Sequence, residues 1–231
     1  MTVQLSGPSR PPASGAKPGR LVILLHGLGA DGNDLIGLAR YWAPLMPEAE
    51  FLSPNAPFGC DVAPYGYQWF SSLDRRPAAV LAGVRAAAAI LDGFLDAALA
   101  ERGLGAGDMA LVGFSQGAMM SLFVGLRRAR PIAGILGYSG RLLAPELLES
   151  ELRSRPRVLL VHGTADPLVP YESLATAQAA LAAADVPIET LTRPGIGHAI
   201  DEAGLRRGGE FLNEVLAHRA PATAGVSGGE R

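Results

Sequence analysis

Short apolar runs alternate with segments of helical periodicity along most of this chain. Apolar residues from Leu81 to Leu99 recur at three- and four-residue spacing, which predicts a long amphipathic helix. Shorter helices are expected over residues 118–128 and around 205–217. Runs of strand length, mostly apolar, occur at residues 21–25, 109–113, 132–138, 157–161 and 188–191. Strands that alternate with helices are typical of an α/β domain, with helices on both faces of a mostly parallel sheet.

Length, composition and charge indicate one domain without affinity for nucleic acid. The 231 residues carry 20 basic and 22 acidic side chains, a net charge of −2. No basic patch is evident, so nucleic acid is not an expected partner. The proline-rich residues 1–20 predict a flexible lead-in, residues 21–218 the folded domain, and residues 219–231 a flexible tail.

The sequence also predicts a cytoplasmic protein without stable membrane insertion. The lead-in lacks the apolar core of a secretory signal, and Arg85 interrupts the alanine-rich residues 78–91. Cys60 is the single cysteine, which excludes an intramolecular disulfide and favours a reducing compartment. Cys60 lies in a proline- and glycine-rich loop and has no paired histidine in the sequence. We therefore interpret it as a thiol without a catalytic role.

A candidate nucleophile follows the strand predicted at residues 109–113. The sequence G-F-S-Q-G, residues 113–117, is typical of a nucleophile elbow, in which a tight strand-to-helix turn exposes the hydroxyl of Ser115. The same turn places the Gln116 amide at a helix N-terminus, where it stabilises developing negative charge. Since the chain is rich in glycine, chance explains this motif alone equally well.

A candidate acid and a candidate base follow later strands. Asp166 lies just after the run at residues 157–161, and His198 lies in a glycine-rich loop after residues 188–191. Serine, acid and histidine therefore occur in the order found in hydrolases with a nucleophile elbow. A base activates the serine hydroxyl, and an acceptor orients the base.

The other histidines and acids have simpler interpretations. His26 and His162 each follow a strand, and we expect both to bond to nearby backbone; His218, at the end of the last helix, is expected to be solvated. The remaining candidates are two turn-forming acids and one helix cap, namely Asp31, Asp34 and Asp201.

The glycine-rich residues 26–32 support two interpretations. The amide of Leu28 can join that of Gln116 around a tetrahedral oxyanion. Residues 27–32 also match G-x-G-x-x-G, the loop of dinucleotide-binding folds. The nucleotide interpretation leaves the serine, acid and histidine unexplained, and no Walker lysine is present. We therefore favour the oxyanion hole.

One long irregular segment, residues 54–77, is rich in aromatic side chains. Loops of this length in a compact domain are usually functional. It either forms a wall of an apolar acyl groove or buries aromatic residues as a stabilising cover, and both interpretations stay open. Residues 141–156 are too few to contain a lid domain.

Motifs spread over residues 21–217 resemble the phospholipase/carboxylesterase family of small α/β hydrolases, which includes acyl-protein thioesterases. These motifs are L-L-H-G-L-G-A-D-G (24–32), Q-W-F (68–70), G-F-S-Q-G-A-M (113–119), H-G-T-A-D-P-L-V-P (162–170) and G-I-G-H (195–198). The resemblance implies a single-domain α/β-hydrolase fold without a lid domain.

The resemblance also implies roles for individual residues. Ser115 would be the nucleophile, His198 the base and Asp166 its orienting acid, with the amides of Leu28 and Gln116 as the oxyanion hole. The residues expected near the acyl pocket are Trp69 and Leu168.

The implied activity is hydrolysis of small esters or thioesters with short- to medium-chain acyl groups, without cofactor or metal. Lysophospholipase or acyl-protein thioesterase activity is the alternative, and a non-catalytic binding protein of the same fold is a more remote one. The oligomeric state stays open, a homodimer included.

Overall fold

The computed structural model of the protein describes residues 4–217. Its strands are β1 (Ser9–Arg10), β2 (Arg20–Leu25), β3 (Ala49–Leu52), β4 (Phe58–Gly59), β5 (Tyr67–Gln68), β6 (Met109–Phe114), β7 (Gly134–Tyr138), β8 (Arg157–Gly163) and β9 (Ile188–Arg193). Its helices are α1 (Gly32–Ile36), α2 (Ala39–Trp42), α3 (Pro77–Arg102), α4 (Gln116–Gly125), α5 (Leu148–Glu151), α6 (Glu172–Ala183) and α7 (Glu202–Ala217). Short 3₁₀ turns span Ala106–Asp108 and Pro145–Leu147.

A seven-stranded sheet, in the order β1-β3-β2-β6-β7-β8-β9, forms the centre of the fold. Each neighbouring pair is parallel except β1 with β3, which is antiparallel. Strands β4 and β5 form a separate antiparallel hairpin. The predicted mostly parallel α/β sheet is confirmed, and its parallel strands bring their carboxyl ends to one edge.

Helices cover both faces of this sheet, as predicted. Along β2, Leu21, Ile23 and Leu25 belong to one core cluster, and Val22 and Leu24 belong to the other. Since side chains alternate along a strand, the two clusters lie on opposite faces. Helices α3, α4 and α6 pack on the first face, and α2 and α7 pack on the second.

Several strands are longer than predicted, and the extension of one of them changes the position assigned to His162. Strand β8 continues through His162 and Gly163, which pair with Thr192 and Arg193 of β9. His162 is therefore a strand residue rather than a loop residue. Pairing with β9 explains the extension beyond the apolar run, since the pairing with β7 ends at Val161.

The expectation of a flexible lead-in over residues 1–20 is wrong for the part that the structure describes. Ser9 and Arg10 pair with Phe51 and Leu52 of β3, and Leu5 is buried in the core. An edge strand tolerates neighbouring prolines because only one of its sides bonds to the sheet. His218 and the predicted tail, residues 219–231, lie outside the described residues.

By length and composition, helix α3 is long and apolar enough to cross a membrane, with a mean hydropathy of 1.7. This contradicts the expectation that Arg85 leaves no apolar stretch of membrane-spanning length. The residues of α3 that are buried belong to the core of the sheet's first face; they are Val84, Ala87, Leu91, Leu95, Ala98 and Leu99. Arg85 and Arg102 of this helix form ion pairs with Glu151 and Glu50. We therefore assign α3 to the layer of helices that packs on one face of the sheet.

Candidate active site

Ser115 occupies the turn between β6 and α4 with a backbone geometry rare for a side-chain-bearing residue. Its φ is 53° and its ψ is −117°. Its amide donates a hydrogen bond of 2.9 Å to the carbonyl of Tyr138 on β7, and its carbonyl accepts one from Met119. A positive φ at a non-glycine residue is a strained conformation that the surrounding structure must hold. This is the geometry expected of a nucleophile elbow.

Small neighbours make this turn possible. A β-carbon on Gly117 would overlap the carbonyl group of Leu25, at the end of β2. The first turn of α4 thus lies directly on the backbone of the adjacent strand. Only glycine permits that approach, which explains the second glycine of the G-x-S-x-G motif.

Asp166 and His198 lie together at the carboxyl edge of the sheet, on the loops after β8 and β9. Nδ1 of His198 is 2.8 Å from Oδ2 of Asp166. Since a carboxylate only accepts, Nδ1 carries the proton and Nε2 is the acceptor of the neutral ring. Oδ1 of Asp166 accepts hydrogen bonds of 2.9 Å from the amides of Leu168 and Val169.

These bonds also keep Asp166 ionised. Burial alone would raise the pKa of its carboxyl group, whose side chain is fully buried. Hydrogen bonds from the Val169 amide, from His198 and from the Leu168 amide outweigh burial, and the pKa lies below its ordinary value. A carboxylate in this position orients the imidazole and stabilises its protonated form.

The structure brings His198 next to the serine turn. The imidazole ring of His198 lies 4.8 Å from the ring of Phe114, centroid to centroid, and Phe114 directly precedes Ser115. Among residues 4–217, the Ser115 hydroxyl has no hydrogen-bond partner. The imidazole thus packs beside the serine turn without a hydrogen bond to the Ser115 hydroxyl.

The two candidate oxyanion donors lie on either side of Ser115. Neither the Leu28 amide nor the Gln116 amide donates a hydrogen bond to another of the described residues. A β-carbon on Gly27 would lie 3.3 Å from Cβ of Ser115, so the peptide that carries the Leu28 amide packs against the serine. The Gln116 amide belongs to the first turn of α4, where helix amides lack internal acceptors.

The aromatic segment, residues 54–77, has two parts. At its tip, Phe58, Tyr65 and Tyr67 are exposed on the β4–β5 hairpin and its turn. The amide of Gly29 donates to the Tyr67 carbonyl at 2.9 Å, so this hairpin holds the glycine-rich loop. Residues 68–70, which follow this hairpin, are buried, and this supports the interpretation as a stabilising cover for that part of the segment.

Trp69 belongs to the buried part, with 0% of its surface exposed. Its indole N–H donates to the carbonyl of His26 at 3.0 Å, and its backbone amide donates to Oε1 of Gln116 at 3.1 Å. Nε2 of Gln116 in turn donates to the carbonyl of Phe70. Trp69 thus bonds to the segment that follows β2 and to the first residue of α4, which follows β6. Leu168, by contrast, is 71% exposed beside Asp166.

His162 is the residue whose position the sequence did not reveal. Its Nε2 lies 3.0 Å from the carbonyl of Val169, so the predicted bond to nearby backbone is confirmed. The same atom also lies 3.3 Å from Oδ2 of Asp166. The H-G-T-A-D spacing, in which a histidine precedes the acid by four residues, was the available signal.

The remaining candidates have structural partners. Oδ1 of Asp201 accepts from the amide of Gly204 in the first turn of α7, and its carboxylate pairs with Arg193, which confirms the predicted helix cap. Asp31 caps α1 through the amide of Asn33. Among residues 4–217, no group of three or more histidine, cysteine and acidic side chains is arranged to hold a metal ion.

Comparison with known proteins places this site in a family. The sequence profile described as phospholipase/carboxylesterase matches residues 12–216. The chain belongs to the phospholipase/carboxylesterase family. The resemblance predicted from the sequence motifs is confirmed.

Individual relatives agree. The chain is 30% identical over 211 residues to esterase YpfH of Escherichia coli (87% of this chain, 84% of that protein). It is 34% identical over 208 residues to acyl-protein thioesterase 1 of Schizosaccharomyces pombe (84% of this chain, 90% of that protein). The crystal structure of esterase PE8 superposes with a TM-score of 0.88 at 45% identity (93% of this chain, 100% of that chain).

This member of the phospholipase/carboxylesterase family is an enzyme, a serine hydrolase of carboxylic esters or thioesters with the α/β-hydrolase fold. The nucleotide-binding interpretation of residues 27–32 and the non-catalytic interpretation are therefore not retained.

Proposed function

We propose that the enzyme hydrolyses esters or thioesters of short- to medium-chain acyl groups through Ser115, His198 and Asp166, with an acyl-enzyme intermediate. The observation that carries this proposal is the 2.8 Å contact between Nδ1 of His198 and Oδ2 of Asp166, on an imidazole that packs beside the serine turn. It fixes which ring nitrogen is free to accept the serine proton.

Acylation begins when the Ser115 oxygen attacks the acyl carbonyl carbon and Nε2 of His198 takes the hydroxyl proton. Asp166 stabilises the resulting imidazolium without becoming protonated. The imidazolium then gives the proton to the departing alkoxide or thiolate, and the C–O or C–S bond breaks. Water, deprotonated by the same nitrogen, attacks the acyl-enzyme; the bond between the acyl carbon and the Ser115 oxygen then breaks, the imidazolium returns its proton to that oxygen, and the acid is released.

The amides of Leu28 and Gln116 form the proposed oxyanion hole. Both lie beside Ser115 and neither has an acceptor among the residues that the structure describes, so both are available to the tetrahedral oxyanion. The positive end of the α4 dipole adds to this stabilisation. Loss of one such donor typically lowers kcat by about 10²–10³-fold.

The acyl chain has a candidate location beside the elbow. A cavity of about 410 Å³ lies between the first turns of α3 and residues 141–146, and Val80, Leu81, Leu142 and Leu143 supply apolar side chains. Gly140, which leads into this segment, packs against the carbonyl of Ser115. This volume lies within the range of small-molecule sites and supports a short or medium chain.

The solvent exposure of Leu168 and Trp69 distinguishes their proposed roles. Leu168, exposed next to Asp166, is a proposed contact at the rim of the site. The prediction that Trp69 lies at the acyl pocket stays untested, and its complete burial supports a role beneath the loops rather than a contact with substrate. The cytoplasmic location also stays a prediction.

A second candidate is acyl-protein thioesterase activity. The 34% identity to acyl-protein thioesterase 1 of Schizosaccharomyces pombe favours it. A protein substrate presents its acyl thioester on a bulky leaving group, which requires an uncovered site. Residues 141–156 form only a 3₁₀ turn and the four-residue α5, and they supply no lid domain.

The test compares Ser115→Ala with the wild-type enzyme on p-nitrophenyl esters of about two to about sixteen carbons and on the matching acyl thioesters. Ser150→Ala, on the exposed helix α5, is the control. We expect kcat of Ser115→Ala to fall by about 10⁴–10⁶-fold and that of Ser150→Ala to stay unchanged. Near-wild-type turnover by Ser115→Ala would contradict the proposal.

A further inference from the structure

His26 is a buried histidine that the proposed mechanism does not use. It directly follows β2 and none of its surface is exposed. Its Nδ1 lies 2.7 Å from the carbonyl oxygen of Gly27, and its Nε2 lies 2.9 Å from the backbone nitrogen of Ala56.

The two partners determine the tautomer of His26. The Gly27 carbonyl can only accept, so Nδ1 carries the proton, and the Ala56 amide can only donate, so Nε2 is unprotonated. Burial lowers the pKa of His26, which keeps the ring neutral and preserves both bonds. The imidazole is thus a fixed bridge between the Gly27 carbonyl and the aromatic segment that begins at residue 54.

The Gly27 carbonyl shares a peptide plane with the Leu28 amide. Residues 4–217 contain no cis peptide bond, so the C=O of Gly27 and the N–H of Leu28 point in opposite directions. A bond that fixes the carbonyl on one side of the plane therefore fixes the direction of the N–H on the other. A β-carbon added to Gly27 would lie 3.3 Å from Cβ of Ser115, so the peptide that carries this N–H lies beside the serine.

We propose that His26 is a positioning residue for the oxyanion hole: together with the Ala30 amide, which donates to the Gly27 carbonyl at the longer distance of 3.3 Å, it holds that carbonyl and so aims the Leu28 amide at the tetrahedral oxyanion. This inference rests on the proposed function of Ser115 and the Leu28 amide. The indole N–H of Trp69 donates to the carbonyl of His26 itself, so the peptides on both sides of Gly27 are held by hydrogen bonds. A preorganised donor avoids reorganisation when the oxyanion forms.

Two substitutions separate the two bonds of His26. In His26→Asn, the side-chain amide nitrogen takes the place of Nδ1 and still donates to Gly27. In His26→Gln, the side-chain oxygen takes the place of Nε2 and still accepts from Ala56. Each variant loses one buried hydrogen bond, so thermal unfolding provides a control for general loss of structure.

We expect His26→Gln to lower kcat by about 10²–10³-fold with KM within about threefold of wild type, and His26→Asn to stay within about tenfold in kcat. The inhibition constant of a trifluoromethyl ketone, which forms a tetrahedral oxyanion on the serine, should rise in His26→Gln by a factor similar to the loss in kcat. Equal kcat and equal inhibition constants in the two variants would overturn the proposal, as would losses that only follow the unfolding temperature.

A measurement on the wild-type enzyme tests the proposal even if the His26 variants do not fold. Nitrogen NMR of the histidine rings should show the Nδ1–H tautomer of His26, with and without the ketone, and an Nε2–H tautomer would overturn the proposal. Failure of the proposed function is distinguishable, because it would appear as an active Ser115→Ala variant, whatever the His26 variants do. An inactive Ser115→Ala beside equal His26 variants rejects only the role of His26.

Discussion

His162 lies against the carboxylate of Asp166, with its Nε2 atom 3.3 Å from Oδ2. Oδ2 is also the atom that accepts the hydrogen bond from His198, so two imidazoles converge on one carboxylate oxygen. His162 is fixed on β8 and also contacts the carbonyl of Val169, whose amide donates to the other carboxylate oxygen. His162 therefore contacts the acid from β8 and, through its hydrogen bond to the Val169 carbonyl, holds the loop that carries it.

His162→Asn is expected to lower kcat by roughly ten- to a hundredfold with little change in KM, because a displaced Asp166 orients His198 less well. His162→Gln is the matched control, since its amide nitrogen can replace Nε2 and donate to the same oxygens. Steady-state kinetics on one p-nitrophenyl ester decides the matter. Equal kcat values for both variants and the wild type would show that His162 has no part in orienting the acid.

Asp166 also predicts how stability depends on pH. Because its pKa in the folded state lies below the unfolded value, its contribution is complete above the unfolded pKa and is lost as pH falls through the folded pKa. The difference in free energy of unfolding between the wild type and Asp166→Asn should therefore shrink as the pH is lowered. Urea unfolding at a series of acidic pH values measures it, and a difference that grows on acidification would contradict the prediction.

The same variant, Asp166→Asn, should lower kcat by about 10⁴-fold, since an amide in place of the carboxylate favours the wrong tautomer of His198. Kinetic constants at neutral pH provide the measurement. Asp201→Asn is the control, because Asp201 lies close to His198 in sequence but pairs with Arg193. A comparable loss of activity in both variants would point to general damage rather than to an acid at residue 166.

Trp69 is expected to act through the loops that it holds. Trp69→Phe removes the indole hydrogen bond to His26 and keeps an aromatic ring in the core. We expect a loss of about 1 kcal/mol in the free energy of unfolding and a lower kcat, with an unchanged preference among acyl chain lengths. A changed preference for chain length, measured on a series of p-nitrophenyl esters, would instead place Trp69 at the acyl pocket.

Leu81 tests the proposed location of the acyl chain. It lines the cavity between α3 and residues 141–146, and Leu81→Trp would fill part of that space. We expect kcat/KM to fall at least tenfold for medium-chain esters while the acetate ester is hardly affected. Leu73→Trp, at an exposed position of the aromatic segment, is the control. An unchanged chain-length profile in Leu81→Trp would exclude the cavity as the acyl site.

The residues at strand ends were predictable from the sequence because local patterns determine them. Ser115 follows a buried strand and sits between glycines, and Asp166 and His198 each follow a strand of their own. Parallel strands bring such loops to one edge of the sheet, so position along the chain translates into position in space. The alternation of strands and helices likewise predicted the α/β sheet.

Features that depend on contacts between distant segments were not predictable. The pairing of Ser9 and Arg10 with β3 needs a free edge that no local pattern reveals. Trp69 is buried because the loops after β2 and β6 meet around it. His162 reaches Asp166 only because β8 extends further than its apolar run.

The most direct test of the central claim is to trap the acyl-enzyme. The enzyme is mixed with an excess of a p-nitrophenyl ester, quenched in acid at early times, digested and analysed by mass spectrometry. The account predicts one acyl group, on the hydroxyl of Ser115, and none in the Ser115→Ala variant. An acyl group on another residue of an active enzyme would contradict it.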